Sequence, residues 1–299
     1  MLAQGKIQPF TLKNELKASY AKDIGISPFG RGTNKRESPI PFTNPYCWLR
    51  SDMGILKVGN AISHWADMSS NGWVFGQTSL GARPSFTIES DGLPSIVFDG
   101  TNDQLILTDF PSSTTLSQQL RSGWNFTHKH SHTIMCVQKY DGSVSKLHAS
   151  VFTTNNSTSS SAGANLFIDN RTASSITGVL DHLISSGVST LIDNRSGNNF
   201  LTSDIYQCIR YSYRHEASSG TFSRTSFISV NEGSEKSDTG SGTDGIGQYS
   251  TGVIARMGSD GSALRFYQGS IREIIIWDRY LNSDETGEIY QYLKQYYNL

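Results

Sequence analysis

Four groups of residues in this chain have types and spacings that could do chemistry. Glu89 and Asp91 are the one acidic pair at i, i+2 considered as a catalytic couple. On a strand that spacing puts both carboxylates on one face, as a glycosidase nucleophile and acid require. The Gly92-Leu93-Pro94 that comes next makes a turn at least as fitting as a strand there. His128, His130 and His132 alternate, so an extended stretch would aim all three imidazoles to one side, toward a transition metal; as polar residues entering a strand they need no metal. Asp99, Asn102 and Asp103 form a compact oxygen set that could hold Ca²⁺ or could simply bond their own turn. Trp73, Trp124, Tyr211 and Tyr213 are candidate stacking platforms for sugar rings if exposed, and core residues if not. Gly-x-Ser-x-Gly elbows, Walker loops and dinucleotide fingerprints do not occur.

The elements that must position these groups read as short strands. The 299 residues include 28 Gly, with abundant Ser and Thr and many short apolar runs between turn residues. This favours an all-β architecture over bundles or βαβ units. Strands are expected at 46–49, 62–65, 95–98, 104–107, 133–138, 148–153, 165–169, 189–193, 205–213, 225–230, 252–256, 264–267 and 271–277. Ile274, Ile275, Ile276 and Trp277 leave neither face polar, the pattern of a strand covered on both sides. After it, Asn282 or Ser283 can cap a helix. Asp284 and Glu285 lie near its positive end, and Ile289, Tyr292, Leu293 and Tyr296 form its apolar stripe. Residues 231–247 read as a solvated loop at the rim of a sandwich, where ligands or neighbouring chains meet. Ile-Asp-Asn-Arg occurs at 168–171 and again at 192–195, as expected of two strands that end in similar Asp-Asn turns.

Residues 1–44 differ from the rest. Residues 1–45 hold five of the eight prolines, and residues 1–40 hold seven basic residues (Lys6, Lys13, Lys17, Lys22, Arg31, Lys35, Arg36) against three acidic ones (Glu15, Asp23, Glu37). A short helical pattern spans Phe10 to Tyr20, and Gly25, Gly30 and Gly32 interrupt the chain after it. The segment reads as a docking arm that orders against a partner, or as a tail, ahead of a single domain at 45–299.

A net charge of −1 gives no electrostatic footprint for nucleic acid. Cys47, Cys136 and Cys208 form neither a disulfide framework nor a CxxC metal pattern. No secretory leader is read at the start, and no run reaches the ~18 apolar residues of a membrane span. Glycosylation patterns at Asn125, Asn156, Asn170 and Asn194 fit chance in a Ser/Thr-rich chain.

Three segments, spanning roughly residues 45–299, resemble the concanavalin A-like lectin/glucanase superfamily. Within it they are similar to the laminin-G-like jelly rolls of bacterial surface proteins and bacteriophage structural proteins. Ile62-Ser-His-Trp65-Ala-Asp67 with Asn71-Gly72 resembles the family's W-x-D-x-S-G-N-G turn, with Ser70 in place of its first Gly. Gly92-Leu-Pro94-Ser-Ile-Val-Phe98-Asp99-Gly100-Thr-Asn-Asp103 is similar to its GLP and FDG segment. Gly269-Ser-Ile271-Arg-Glu273-Ile-Ile-Ile-Trp277-Asp278-Arg279-Tyr-Leu281 resembles its closing strand before a helix.

The resemblance implies an antiparallel jelly-roll sandwich with a C-terminal helix, and Ca²⁺ between loops as the one cofactor to look for. The superfamily's glucanases carry Glu-x-Asp-x-Glu runs that this chain lacks, so catalysis is not expected. The expected function is a bacteriophage virion structural protein, a capsid-decorating, tail or baseplate component made in the host cytoplasm and displayed on the particle exterior. Its expected partners are other virion proteins through residues 1–44, and itself as a homo-oligomer. The alternative is a carbohydrate-binding adhesin for host-surface glycans, and a polysaccharide-degrading enzyme comes third.

Overall fold

The apolar run at 274–277 lies at the centre of the molecule. The computed structural model describes residues 45–299 apart from 110–113, 116–121, 144–145, 155–161, 172–175, 187–189, 219–220, 243–253 and 261–264. The arm at 1–44, with its helical pattern, lies outside the described residues.

Strand β18 (Gln268–Trp277) is the axis of the first sheet, and all its pairings are antiparallel. One edge pairs with β9 (His132–Tyr140). The other edge pairs with β6 (Pro94–Asp99) along its first half and with β1 (Cys47–Arg50) along its second. Beyond β9 come β14 (Gln207–Ser218), β15 (Thr221–Val230) and β16 (Lys236–Gly242), and beyond β6 comes β5 (Ser85–Ile88).

The second sheet runs β13 (Thr190–Arg195), β12 (Ile176–Ser186), β11 (Ala162–Arg171), β10 (Lys146–Thr153) and β17 (Arg256–Met257). It continues through β7 (Leu105–Asp109), β4 (Val74–Gly76) and β3 (Ala61–Ala66) to β2 (Ile55–Val58), with β8 (Thr114–Thr115) beside β7. Among the described residues a single pair, Ala61 with Ser85, joins the sheets at one edge.

Period-two alternation divides each strand between two environments. Ile134 and Cys136 of β9, Ile209 and Tyr211 of β14, and Ile274 and Ile276 of β18 face the second sheet. There they meet Phe75, Leu105, Leu107, Val151, Leu166 and Ile168. The alternate residues Met135, Val137, Cys208, Ile275 and Trp277 face outward and are equally buried, because a helix covers them.

That helix, α2 (Ser283–Tyr297), packs Ile289, Tyr290, Tyr292, Leu293 and Tyr297 onto this face. Its start is a capping box. The Asn282 side chain accepts from the Glu285 N–H at 3.0 Å, and Glu285 Oε2 accepts from the Asn282 N–H at 2.9 Å. Between helix and sheet lies the fully buried carboxylate of Glu273, which accepts from Trp48 Nε1 at 2.6 Å and from the Tyr297 hydroxyl at 2.7 Å. Burial pushes it up to about 7, against the opposing charge of Arg50. Arg50 pairs with Asp52 through both its Nε and Nη2, and the Tyr296 hydroxyl donates to Asp52 at 2.6 Å, tying the end of α2 to β1.

The all-β jelly-roll sandwich with a C-terminal helix is therefore as expected, and several element assignments are corrected. Residues 236–242 are a strand, not loop, because β15 pairs with them along the backbone whatever their polarity. β12 was not expected at all. The strand expected at 264–267 is instead a single bridge, Phe266 with Ser150, and residue 264 lies outside the described residues. The strand expected from Gly252 shrinks to Arg256–Met257, and residues 251–253 lie outside the described residues.

Both Asp-Asn pairs of the repeated motif lie inside strands, not in turns. β11 and β13 flank β12, the Asn194 side chain donates across to Ser226 O at 2.9 Å, and Arg195 forms an ion pair with Asp169. Asn170 and Asn194 are buried, which removes them as glycosylation acceptors.

Candidate functional site

The motif at Trp65-Ala-Asp67 is a brace. Trp65 is fully buried, with Nε1 donating to Arg50 O at 2.9 Å. Asp67 receives the N–H groups of Trp48 (2.7 Å), Ser69 (2.7 Å) and Trp73 (3.1 Å), together with the Ser69 hydroxyl. Burial raises its carboxyl, and these bonds oppose the rise. The Asn71 amide then donates to Tyr46 O at 2.9 Å, so the turn fastens Trp73 against Tyr46 with ring centroids 5.6 Å apart.

Of the four proposed platforms, Trp73 alone is half-buried. Trp124, Tyr211 and Tyr213 are fully buried between the sheets and cannot stack a sugar. Trp124 sits edge-on to Tyr46 and Phe75, a position that large apolar area dictates.

The three histidines do not share a strand face. His128 is on a short helix, α1 (Phe126–Lys129), His130 is exposed, and His132 opens β9 inside the core. Among the described residues no cluster of three or more His, Cys, Asp or Glu side chains is arranged to hold a metal ion.

Glu89 and Asp91 sit in the β5–β6 turn, where the Glu89 N–H donates to Leu93 O at 3.0 Å and the Gly92 N–H to Glu89 O at 2.9 Å. Glu89 pairs with Lys139 at 3.1 Å and accepts from Tyr206 at 2.8 Å; Asp91 pairs with the buried Arg272 at 2.8 Å. Burial pulls both carboxylates upward, and these bonds outweigh it and hold both low. Each carboxylate is committed to a cation, and the two do not project together from one strand face as a glycosidase pair must.

Asp99, Asn102 and Asp103 do come together. Asp99 Oδ1 accepts from the Thr101 N–H at 2.7 Å, and Asp103 Oδ2 accepts from the Asp99 N–H at 2.9 Å. Burial lifts Asp103 to about 6. Gly100, at φ +73°, lies so close to Gln268 that a Cβ there would come within 2.6 Å of the Gln268 carboxamide oxygen.

Gln268 belongs to a concavity in which polar groups converge. This small cleft, with about 10 Å³ of free space, opens between the sheets at one end of the sandwich. The first sheet gives it Tyr140 and Asp141 at the end of β9 and Tyr267 and Gln268 at the start of β18; the second gives Ala149 of β10 and Ile168 and Asn170 of β11. Gln268 Nε2 donates to Asp141 Oδ2 at 3.0 Å, and the Asn170 amide donates to Gly142 O at 3.3 Å. Hydrogen bonds from the hydroxyl (2.6 Å) and N–H (2.8 Å) of Ser143 hold Asp141 low, so it is ionised and acceptor-only. The loop at 201–204 lies alongside, its Asp204 N–H donating to Tyr140 O at 3.0 Å.

Asp141 and Gln268, half-buried at the mouth, are the groups placed to meet a ligand hydroxyl, while Asn170 is buried in the wall with its amide on Gly142 O. Asp141, Asn170 and Gln268 carried no signal as a group. Asp141-Gly142 comes after a long apolar strand and Gln268 precedes the closing one, but only the register of β9 with β18 puts them side by side.

No family model and no curated protein matches this sequence. Among solved structures, it resembles the binding domain of Paraclostridial Mosquitocidal Protein 1 (15% identity, TM-score 0.52, covering 85% of this chain and 53% of that one). It also resembles the botulinum neurotoxin serotype D/C VPI 5993 binding domain (11% identity, TM-score 0.52, 84% and 52%). The Ruminococcus gnavus IT-sialidase CBM40 bound to alpha2,3 sialyllactose aligns at 12% identity with a TM-score of 0.44, over 65% of this chain and 94% of that one. The chain spans about half the length of the two toxin domains, and at these identities the likeness to them is one of fold: an all-β, lectin-like jelly roll.

Proposed function

We propose that this protein is a non-catalytic, lectin-like module that binds the end of a glycan at the cleft of Asp141, Asn170 and Gln268. The observation that carries this reading is the convergence of one ionised carboxylate and one carboxamide on a concave, apolar-floored mouth. The free space in the cleft is about 10 Å³, room for about one water-sized group, so it would take a single hydroxyl of a sugar whose ring lies outside it. Fold likeness to two proteins named as binding domains supports a recognition role by analogy. On a glycan array, Asp141→Ala and Gln268→Ala are each expected to weaken binding about tenfold, roughly 1.4 kcal/mol. A chain that binds no glycan, or variants that bind like the parent while folded, would overturn the reading.

The setting proposed for this module is the exterior of a bacteriophage particle, held there through residues 1–44. The motifs at Trp65-Ala-Asp67, Phe98-Asp99-Gly100 and Glu273–Arg279, similar to those of bacteriophage jelly rolls, support it. Deleting residues 1–44 should then leave residues 45–299 folded but absent from purified particles. Retention on the particle, or loss of folding, sinks the arm as an anchor.

A further inference from the structure

At the end of the sandwich where β12 and β13 face β14 and β15, polar groups replace the apolar filling. His132 of β9 and His182 of β12 are both fully buried, with ring centroids 5.7 Å apart and planes at 77°. His182 Nδ1 lies 2.7 Å from the Ser226 hydroxyl of β15, and the Asn194 amide of β13 donates to Ser226 O (2.9 Å) and Lys236 O (3.2 Å). These bonds cross from one sheet to the other. His128 on α1 is buried with neither ring nitrogen bonded, and Nε2 of His132 and of His182 is likewise without a hydrogen-bond partner among the described residues.

Charged and titratable groups approach these rings from several elements. α1 and the residue after it bring Lys129 and His130. β14 brings Tyr211, Tyr213 and His215, whose Nδ1 meets Lys129 O at 2.7 Å. β15 brings the buried Arg224. Asp169 of β11, Asp181 of β12 and Asp193 and Arg195 of β13 alternate to the opposite face of their sheet. β16 brings Lys236 and Asp238, which its register with β15 sets on the same face as Ile228 and Ser226, and Lys129, His130 and the neighbouring imidazoles act on the three rings.

We propose that His128, His132 and His182 form an acid-operated latch between the sheets: a proton on any of them places an imidazolium in a buried space beside Lys129 and Arg224, with Asp238 only at the exposed edge strand, and β12–β13 part from β14–β15. Burial already holds His128 and His132 at about 4 and pushes His182 well below its ordinary value. The folded chain therefore binds fewer protons than the unfolded one between those values and ~6.5, so this end is firm above ~6.5 and loosens as pH falls. Glu273, raised to about 7, has the opposite sign, so α2 does not loosen with it.

Hydrogen exchange of the full chain, corrected for the intrinsic pH dependence, tests the latch at about pH 7.5 and about pH 5. Protection in β12–β15 should fall about tenfold at the lower pH while β1, β18 and α2 keep theirs. The double variant His132→Phe, His182→Gln, which leaves His128 alone of the three to take a proton, should shrink the difference severalfold. An even change over the chain, no change, or a variant that keeps the whole pH response would overturn the latch. Should the double variant not fold, an NMR titration of the parent decides: an imidazole that titrates near 6.5 while β12 stays protected overturns it, and titration that coincides with the loss of protection supports it.

Discussion

Trp277→Ala should destabilise the chain by about 3–5 kcal/mol in urea unfolding, the range for removing a large buried aromatic whose site cannot collapse. Trp277 is 1% exposed and sits on the outward face of β18 with Met135, Val137 and Ile275, under Ile289 and Leu293 of α2. Two rigid elements meet over that ring, so neither can move in to fill the space without breaking the β18–β9 register or the capping box. Trp277→Phe, which keeps an aromatic there, should cost much less. A loss below about 1 kcal/mol for the Ala variant would mean that α2 is not part of the core.

Glu273→Gln should change the pH dependence of stability more than the stability itself. The ordinary glutamate value of 4.5 rises to about 7 in the fold, so between those values the native state holds a proton that the unfolded chain releases. Stability from this group is complete below 4.5 and is lost as pH rises through 7. At about 1.4 kcal/mol per tenfold change in proton affinity, the loss is about 3 kcal/mol. Gln mimics the protonated acid and does not titrate. Relative to the parent, the variant should therefore gain about 3 kcal/mol between pH 4.5 and pH 8, read from denaturant melts at several pH values. Parallel stability curves for the two proteins would show that Glu273 is ionised in the fold throughout.

Sequence patterns exposed some of this architecture and hid the rest, for reasons that differ by element. The run 274–277 could be read as doubly covered because no polar residue interrupts it, and α2 announced itself through Asn282, Glu285 and the Ile289/Leu293 stripe. β12 was silent because polar and apolar residues occupy both of its faces: Leu180, His182 and Ile184 point inward, while Val179, Asp181 and Leu183 point outward. β16 contains Ser, Asp, Thr and Gly, and its place comes from the backbone of β15 rather than from side chains.

The same limit applied to function. Sequence could mark Trp124, Tyr211 and Tyr213 as aromatic but not say which surface they cover, and it ranked Asp99 and Asp103 above Asp141 because neighbours in sequence are easier to see than neighbours across a mouth.

The central place of β18 also sets the order of events during synthesis. Trp48 and Glu273, joined by a hydrogen bond, are 225 residues apart. β1, β6 and β9 all leave the ribosome before the strand that pairs with each of them. Until β18 arrives, the first sheet has three open edges and α2 has nothing to cover. Folding is then paced by long-range pairing and slow for a chain of this size, and the nascent chain depends on being shielded from its neighbours. A pause in translation before residue 268 prolongs that exposed interval.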